Sequence, residues 1–377
     1  MILITAKLTQ FAGRDNDDDG PCLDAALESL LTSSLLEDDL TGDKTSLDQV
    51  RKAYLLAFYE LHQSPGHSSW LRISKVTRMA YRLGLDRLDQ VRVLYPDWNA
   101  VSDEDTEEWR ALWWRIYRLD TYSNLASGTP YLIDEMIINT TISLTRTEDG
   151  VIQGILLPPH SDGLLEIIPA IISNKETLLD NIHTVTTAIM RQVGRVIRMH
   201  MLQWHDRVML EAGNTEQRLA TLCLALPLGW LNPQRNAFAN EGAGDHHARL
   251  ITVFHLRMAQ LLLSIVECGH RREDDWLPSW QRVLSTSRDI ATLAYQWDSA
   301  FCLSVDPAIT FILFTALVFL DLHRKSSTSD ENLRYNLSKD VTVLQLQLKH
   351  FGSFWMQARL LTCMWRIFPS FTKWDIY

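Results

Sequence analysis

Three groups of side chains in this sequence are of types that do chemistry. The first is Asp15-Asn16-Asp17-Asp18-Asp19. Carboxylates at that density hold Mg²⁺ against a leaving diphosphate when they line a deep pocket opposite a second metal motif. Here the run lies between Gly13 and Gly20-Pro21, which reads as a solvated loop, and no second motif is present. The second group is His246-His247, His255 and Cys268-Gly269-His270. His247 and His255 are spaced to share a helix face, but a structural metal site needs a compact four-ligand spacing that the sequence lacks. Helix caps and surface positions account for these histidines. The third group is WRALWWRIYR from Trp109 to Arg118, whose rings and guanidinium groups are types that stack on bases. An acidic turn precedes it, and Trp109 and Trp113 fall on one helical stripe, so core packing is the better reading. GxSxG, P-loop, strand-borne GxGxxG and HExxH patterns are all absent. The sequence therefore assigns no catalytic, cofactor-binding or metal-binding residue, and the chain is read as not an enzyme.

The elements that position these residues are helical. Ser46 and Gln49 form a capping box ahead of Leu47, Val50, Tyr54, Leu55, Phe58 and Leu61, and Ser64-Pro65-Gly66 ends that helix. The next starts near Ser68 or Ser69, with Trp70, Ile73, Val76, Thr77, Ala80 and Leu83 on one stripe and Gly84 as its C-terminal cap. Arg72, Lys75, Arg78 and Arg82 recur on the opposite, solvated face. After a polar loop at 96–100, Ser102 caps a helix whose first turn carries Asp103, Glu104 and Asp105, where the helix dipole favours them. Asp120 lies nearly on the apolar stripe of Trp109, Leu112, Trp113, Ile116 and Leu119. A carboxylate there needs a cation, and Arg78, Arg82 or Arg118 is the expected partner. Gly128-Thr129-Pro130 stops the unit.

Residues 138–162 read as a long connecting loop with a short strand-like piece, and the 138–172 region is the one candidate domain boundary. A long helix is expected from about Asn174 to Glu211, stopped by Gly213-Asn214, with a short helix over 215–225. A loop over 232–245 follows. Helices are then expected at 246–268, 278–300, 307–324, 330–350 and 352–367. The fold class is all-α: a single large multi-helix domain with long loops over 46–377, preceded by a poorly defined acidic segment over 1–45.

The bulk numbers narrow the function. A chain of 377 residues with 46% apolar side chains and 13 Trp can bury a large core. Its net charge of −10 argues against wholesale wrapping of nucleic acid. Five Cys with no CxxC pair fit reduced thiols in a reducing compartment. The longest apolar run, 308–320, is too short to span a bilayer and reads as a buried helix. A soluble, intracellular chain with no membrane contact is expected.

One combination is more specific than any of its parts. Trp70, Arg78, Ala80, Leu83-Gly84-Leu85, Glu108, Arg110, Trp113-Trp114, Tyr117, Leu119-Asp120, Gly128, Pro130 and Ile133 occur in order. With Arg82 beside them, they resemble the fungal-specific transcription-factor regulatory domain, the middle homology region of binuclear zinc-cluster regulators. Weaker likeness continues through 226–230, the helix around His255, 307–320 and 354–358. The resemblance implies an all-α regulatory module in the nucleus, tied to pathway-specific gene control. It implies other transcription-regulatory proteins or a second copy as partners, with room for a small-molecule effector between helices. The family binds DNA through a six-cysteine cluster holding two Zn²⁺. Only Cys22 precedes Trp70, so no cofactor and no direct specific DNA binding are expected of this chain. The alternatives are a terpene-cyclase-like all-α enzyme of secondary metabolism and a domain recruited to a non-transcriptional role.

Overall fold

The computed structural model describes residues 25, 29, 46–94, 101–146, 152–158, 163–235, 240–270, 276–326 and 331–371. The acidic run at 15–19 and the loop at 96–100 lie outside them. Within the described residues the chain is all-α apart from a two-stranded hairpin.

The helices begin where the caps place them. In α1 (Leu47–Gln63) the Ser46 hydroxyl accepts from the Gln49 amide at 3.3 Å, and the Gln49 side chain accepts from the Ser46 amide at 2.7 Å. Helix α2 (His67–Arg82) ends at Gly84, whose φ of 73° is left-handed. A 3₁₀ turn (Leu85–Arg87) leads to α3 (Leu88–Leu94). In α4 (Asp103–Ser127) the Ser102 hydroxyl accepts from the Asp105 amide at 3.0 Å. Gly128, at φ 67°, ends this helix, and the Thr129 amide returns to the Asn124 carbonyl at 3.0 Å.

The connection expected over 138–162 is more ordered than a loop. Strands β1 (Thr141–Arg146) and β2 (Ile152–Leu156) pair antiparallel, with Thr141 opposite Leu156, and α5 (Leu164–Ser173) follows. The long helix expected from 174 to 211 is two helices, α6 (Leu178–Met201) and α7 (His205–Ala225). The break lies at Leu202-Gln203-Trp204, where Gln203 takes φ 58°. No glycine or proline announces it. Gly213, the expected stop, lies inside α7, because an interior glycine weakens a helix by only about 1 kcal/mol and packing overrides that. The remaining helices are α8 (Ala243–His270), α9 (Leu277–Tyr295), α10 (Pro307–Ser326), α11 (Glu331–Phe351) and α12 (Met356–Phe371).

Buried side chains form a continuous core from Val50 to Ala358. Helix α8 is central to it, packing on α6, α7, α9 and α10. Helix α4 bridges α1 and α2 to α6. Helices α8 and α10 are both long and apolar enough to cross a membrane by length and composition, which corrects the reading of 308–320 as too short. Their apolar windows are 78% and 61% buried against the rest of the fold, as core helices are.

Candidate functional site

The C-terminal half of α4 carries a dense network of buried polar contacts. Asp120 is fully buried. Its cation is Arg191 of α6, also fully buried, with Nη1 2.9 Å from Asp120 Oδ2. None of the expected partners reaches it: Arg78 and Arg82 are exposed, and Arg118 lies beside His183 and Asp180. Local spacing misled here because the partner is 71 residues away on another helix. One sequence signal does mark Arg191. Small residues at helical spacing around it, Thr187, Ala188 and Gly194, leave room for α4 and its loop to approach.

Asp120 also organises the loop after Gly128. It accepts from the Leu132 amide at 3.1 Å, the Ile133 amide at 3.2 Å and Asn124 Nδ2 at 2.7 Å. Asn124 Oδ1 accepts in turn from Trp70 Nε1 at 3.1 Å and from the Thr129 hydroxyl at 2.6 Å. Arg191 donates to the Thr121 hydroxyl and to the Ile133 carbonyl. Its Nε lies 3.3 Å from Glu135, which also pairs with Arg195 and accepts from the Tyr117 hydroxyl. The Arg191 guanidinium sits 4.1 Å from the Tyr131 ring centroid and 4.7 Å from that of Tyr117. Burial works against this charge, but Tyr117, Glu135 and Asp120 more than offset it, so the guanidinium is held more firmly protonated than usual.

This loop separates two cavities. One, of about 500 Å³, lies between the Gly128–Asp134 segment and α6, and Arg195 and Arg198 form its cationic side. The other, of about 560 Å³, lies between α1, α2 and α4, with Trp70 and Phe311 in its wall. Thr129 lines both. Tyr131 reaches α6 only because residue 194 is glycine: a Cβ there would lie 1.9 Å from the Tyr131 hydroxyl. Such cavities, apolar with a few convergent polar groups, are suited to a small ligand.

Residues 1–149 match the fungal specific transcription factor domain. No curated protein and no solved structure matches the chain. The fungal specific transcription factor domain is a regulatory, non-enzymatic family. Its match ends near the hairpin, so the weaker likeness beyond residue 149 stands outside it.

Within the matched residues 1–149, the signature residues serve different ends. Trp113 and Trp114 are buried, Trp113 edge-on to Tyr81 with centroids 5.6 Å apart, and Trp114 donating to the Thr141 carbonyl at 2.9 Å. Arg110, the arginine of the Trp/Arg run, is buried against Asp89 at 2.8 Å rather than presented to a ligand. Burial raises the Asp89 carboxyl and Arg110 pulls it back below its usual value. Trp70 is only half-buried and is a cavity wall as much as a core side chain. Gly84 and Gly128 supply left-handed turns, and Pro130 lines the cavity beside α6. Sequence reasoning missed Arg191, Glu135 and Tyr131 completely. It also misread the histidines of α8. His255 is fully buried, His246 is buried on the Pro233 carbonyl, and His247 stacks on Phe301.

Proposed function

We propose that this chain is the regulatory part of a fungal transcription regulator, working in the nucleus without catalysis of its own. The match of residues 1–149 carries this reading. Regulation needs a region that can be biased by a ligand or a partner. The Thr129 loop fits that need, because it is tied to the core through Asp120 and Arg191 and forms a wall of two cavities. An effector taken between the loop and α6 would be a small molecule with an apolar body and an anionic or acceptor group for Arg195 and Arg198. Partners on this reading are other transcription-regulatory proteins or a second copy of the chain, and control of a particular pathway is the expected output.

Affinity capture with the full chain from nuclear extract of the native cell tests the reading. Transcription-regulatory proteins are expected among the specific partners, and recovery of none would contradict it. Incubation with Mg²⁺ and prenyl diphosphates is expected to give no product. Turnover there would favour the terpene-cyclase-like alternative.

A further inference from the structure

The regulatory reading leaves unused a polar cluster where α4, α6, α8 and α10 converge. Asp306, at the N-terminal end of α10, accepts from the Ala308 amide at 2.9 Å, and its carboxylate is buried. From α6, His183 Nε2 lies 3.4 Å from Asp306 Oδ2. From α8, His255 Nε2 lies 3.7 Å from Asp306 Oδ1. Ligand-type atoms of all three residues fall within 4.8 Å of one another. Both ring nitrogens of His255 are buried without a hydrogen-bond partner, although the residue is fully enclosed. A buried imidazole whose Nε2 has only a long contact to Asp306 and whose Nδ1 has no hydrogen bond is costly, and such a group calls for an explanation.

Tetrahedral Zn²⁺ with nitrogen and oxygen ligands at about 2.0–2.2 Å sets neighbouring ligand atoms roughly 3.3–3.5 Å apart. His183 Nε2 and His255 Nε2 lie 3.4 and 3.7 Å from the two separate oxygens of Asp306, and ligand atoms of all three residues fall within 4.8 Å, so small side-chain shifts would bring one carboxylate oxygen and both rings to that spacing. We propose that His183, His255 and Asp306 bind a single Zn²⁺, joining α6, α8 and α10. The Tyr122 hydroxyl, 2.9 Å from His183 Nε2, or a water would supply the fourth ligand. A divalent ion would answer the buried carboxylate and use the idle nitrogen of His255 together.

One contact turns the site into a coupling device. Arg118 Nη1 of α4 lies 2.8 Å from His183 Nδ1. A guanidinium donating there keeps the ring proton on Nε2, where the metal must bind. Zn²⁺ entry therefore moves that proton to Nδ1 and releases Arg118 towards Asp180, whose Oδ1 is already 3.7 Å from Nη2. The site and α4, which carries the family signature, then respond to one another. This proposal does not depend on the regulatory reading.

The test is titration of chelator-treated full-length chain with Zn²⁺ and Co²⁺, with elemental analysis of the dialysed product. The expected result is one metal per chain and a Co²⁺ absorption spectrum of tetrahedral intensity. Asp306→Asn and His255→Ala are expected to weaken binding by more than about 100-fold, beyond the usual cost of an outer-shell loss, with far-UV circular dichroism checking that they fold. If either fails to fold, Arg118→Met decides, and is expected to tighten Zn²⁺ by removing the competing donor. Absence of bound metal, a weak octahedral Co²⁺ spectrum, or affinity unchanged across the three variants would each overturn the proposal.

Discussion

Replacing Arg191 with methionine strands Asp120 in the core beside a methyl group, and breaking a buried pair this way costs about 3–5 kcal/mol. Removing both charges, as Asp120→Asn with Arg191→Met, is expected to recover part of that loss, because the stranded charge is gone. Urea denaturation of the single and double variants measures it, and strict additivity would show that the pair is not coupled. The two left-handed glycines give an ordered comparison. Gly128→Ala meets nothing within 4 Å and pays only the left-handed strain of about 1–2 kcal/mol. Gly84→Ala pays the same strain and also brings a Cβ to 2.6 Å from Val91, so it is expected to cost more. Equal midpoint shifts would contradict this. What was legible at this scale was need rather than partner. Asp120 on an apolar stripe demanded a cation, but the small residues around position 191 mark only room on that helix and do not name Asp120 as its partner.

Helix ends were legible where the residue type itself makes the cap, by a hydroxyl at Ser46 and Ser102 and by a left-handed backbone at Gly128. They were illegible where tertiary packing bends a helix without a breaker, as at Gln203. The hairpin over 141–156 was obscured for a related reason, since a two-stranded piece depends on the helices beneath it. The candidate site was legible only at its edge. Gly128 and Pro130 marked the loop, whereas the α6 side of the cavity belongs to a helix read as ordinary core. That side yields a direct prediction. Gly194→Ala drives a methyl into the Tyr131 hydroxyl, so Tyr131 must move into the cavity of about 500 Å³. For an effector taken into that cavity as proposed, lost binding with α-helical content retained is the expected outcome, and unaltered binding would contradict that placement. Between α9 and α10, His323 stacks on Trp280 with centroids 4.0 Å apart. Burial holds His323, and likewise His62 against Trp355, down to about 4. The unfolded chain takes up a proton on each near pH 6.5 that the folded chain refuses until about pH 4. Stability is therefore full above pH 6.5 and declines as pH falls to about 4, with His62 contributing on the order of 3 kcal/mol. His323→Phe keeps the stack and is expected to make that decline shallower, whereas an unchanged slope would count against the histidine's role.

For the whole molecule, fold class was the most legible property, because long 3.6-residue periods with caps leave little alternative to helices packed on one core. The proposed function rests on the match of residues 1–149 and on the combination of signature residues, most of which are buried or end a helix. The net charge of −10 gives a further expectation. The purified 377-residue chain should fail to retard DNA at physiological salt, and tight, sequence-dependent retardation would refute that. The regulatory assignment itself is tested most directly by fusing the full chain to an unrelated DNA-binding domain and measuring a reporter in fungal nuclei. The account predicts transcription clearly different from that given by the DNA-binding domain alone, and abolished by Arg191→Met. A fusion that enters the nucleus, folds and leaves the reporter unchanged would contradict it.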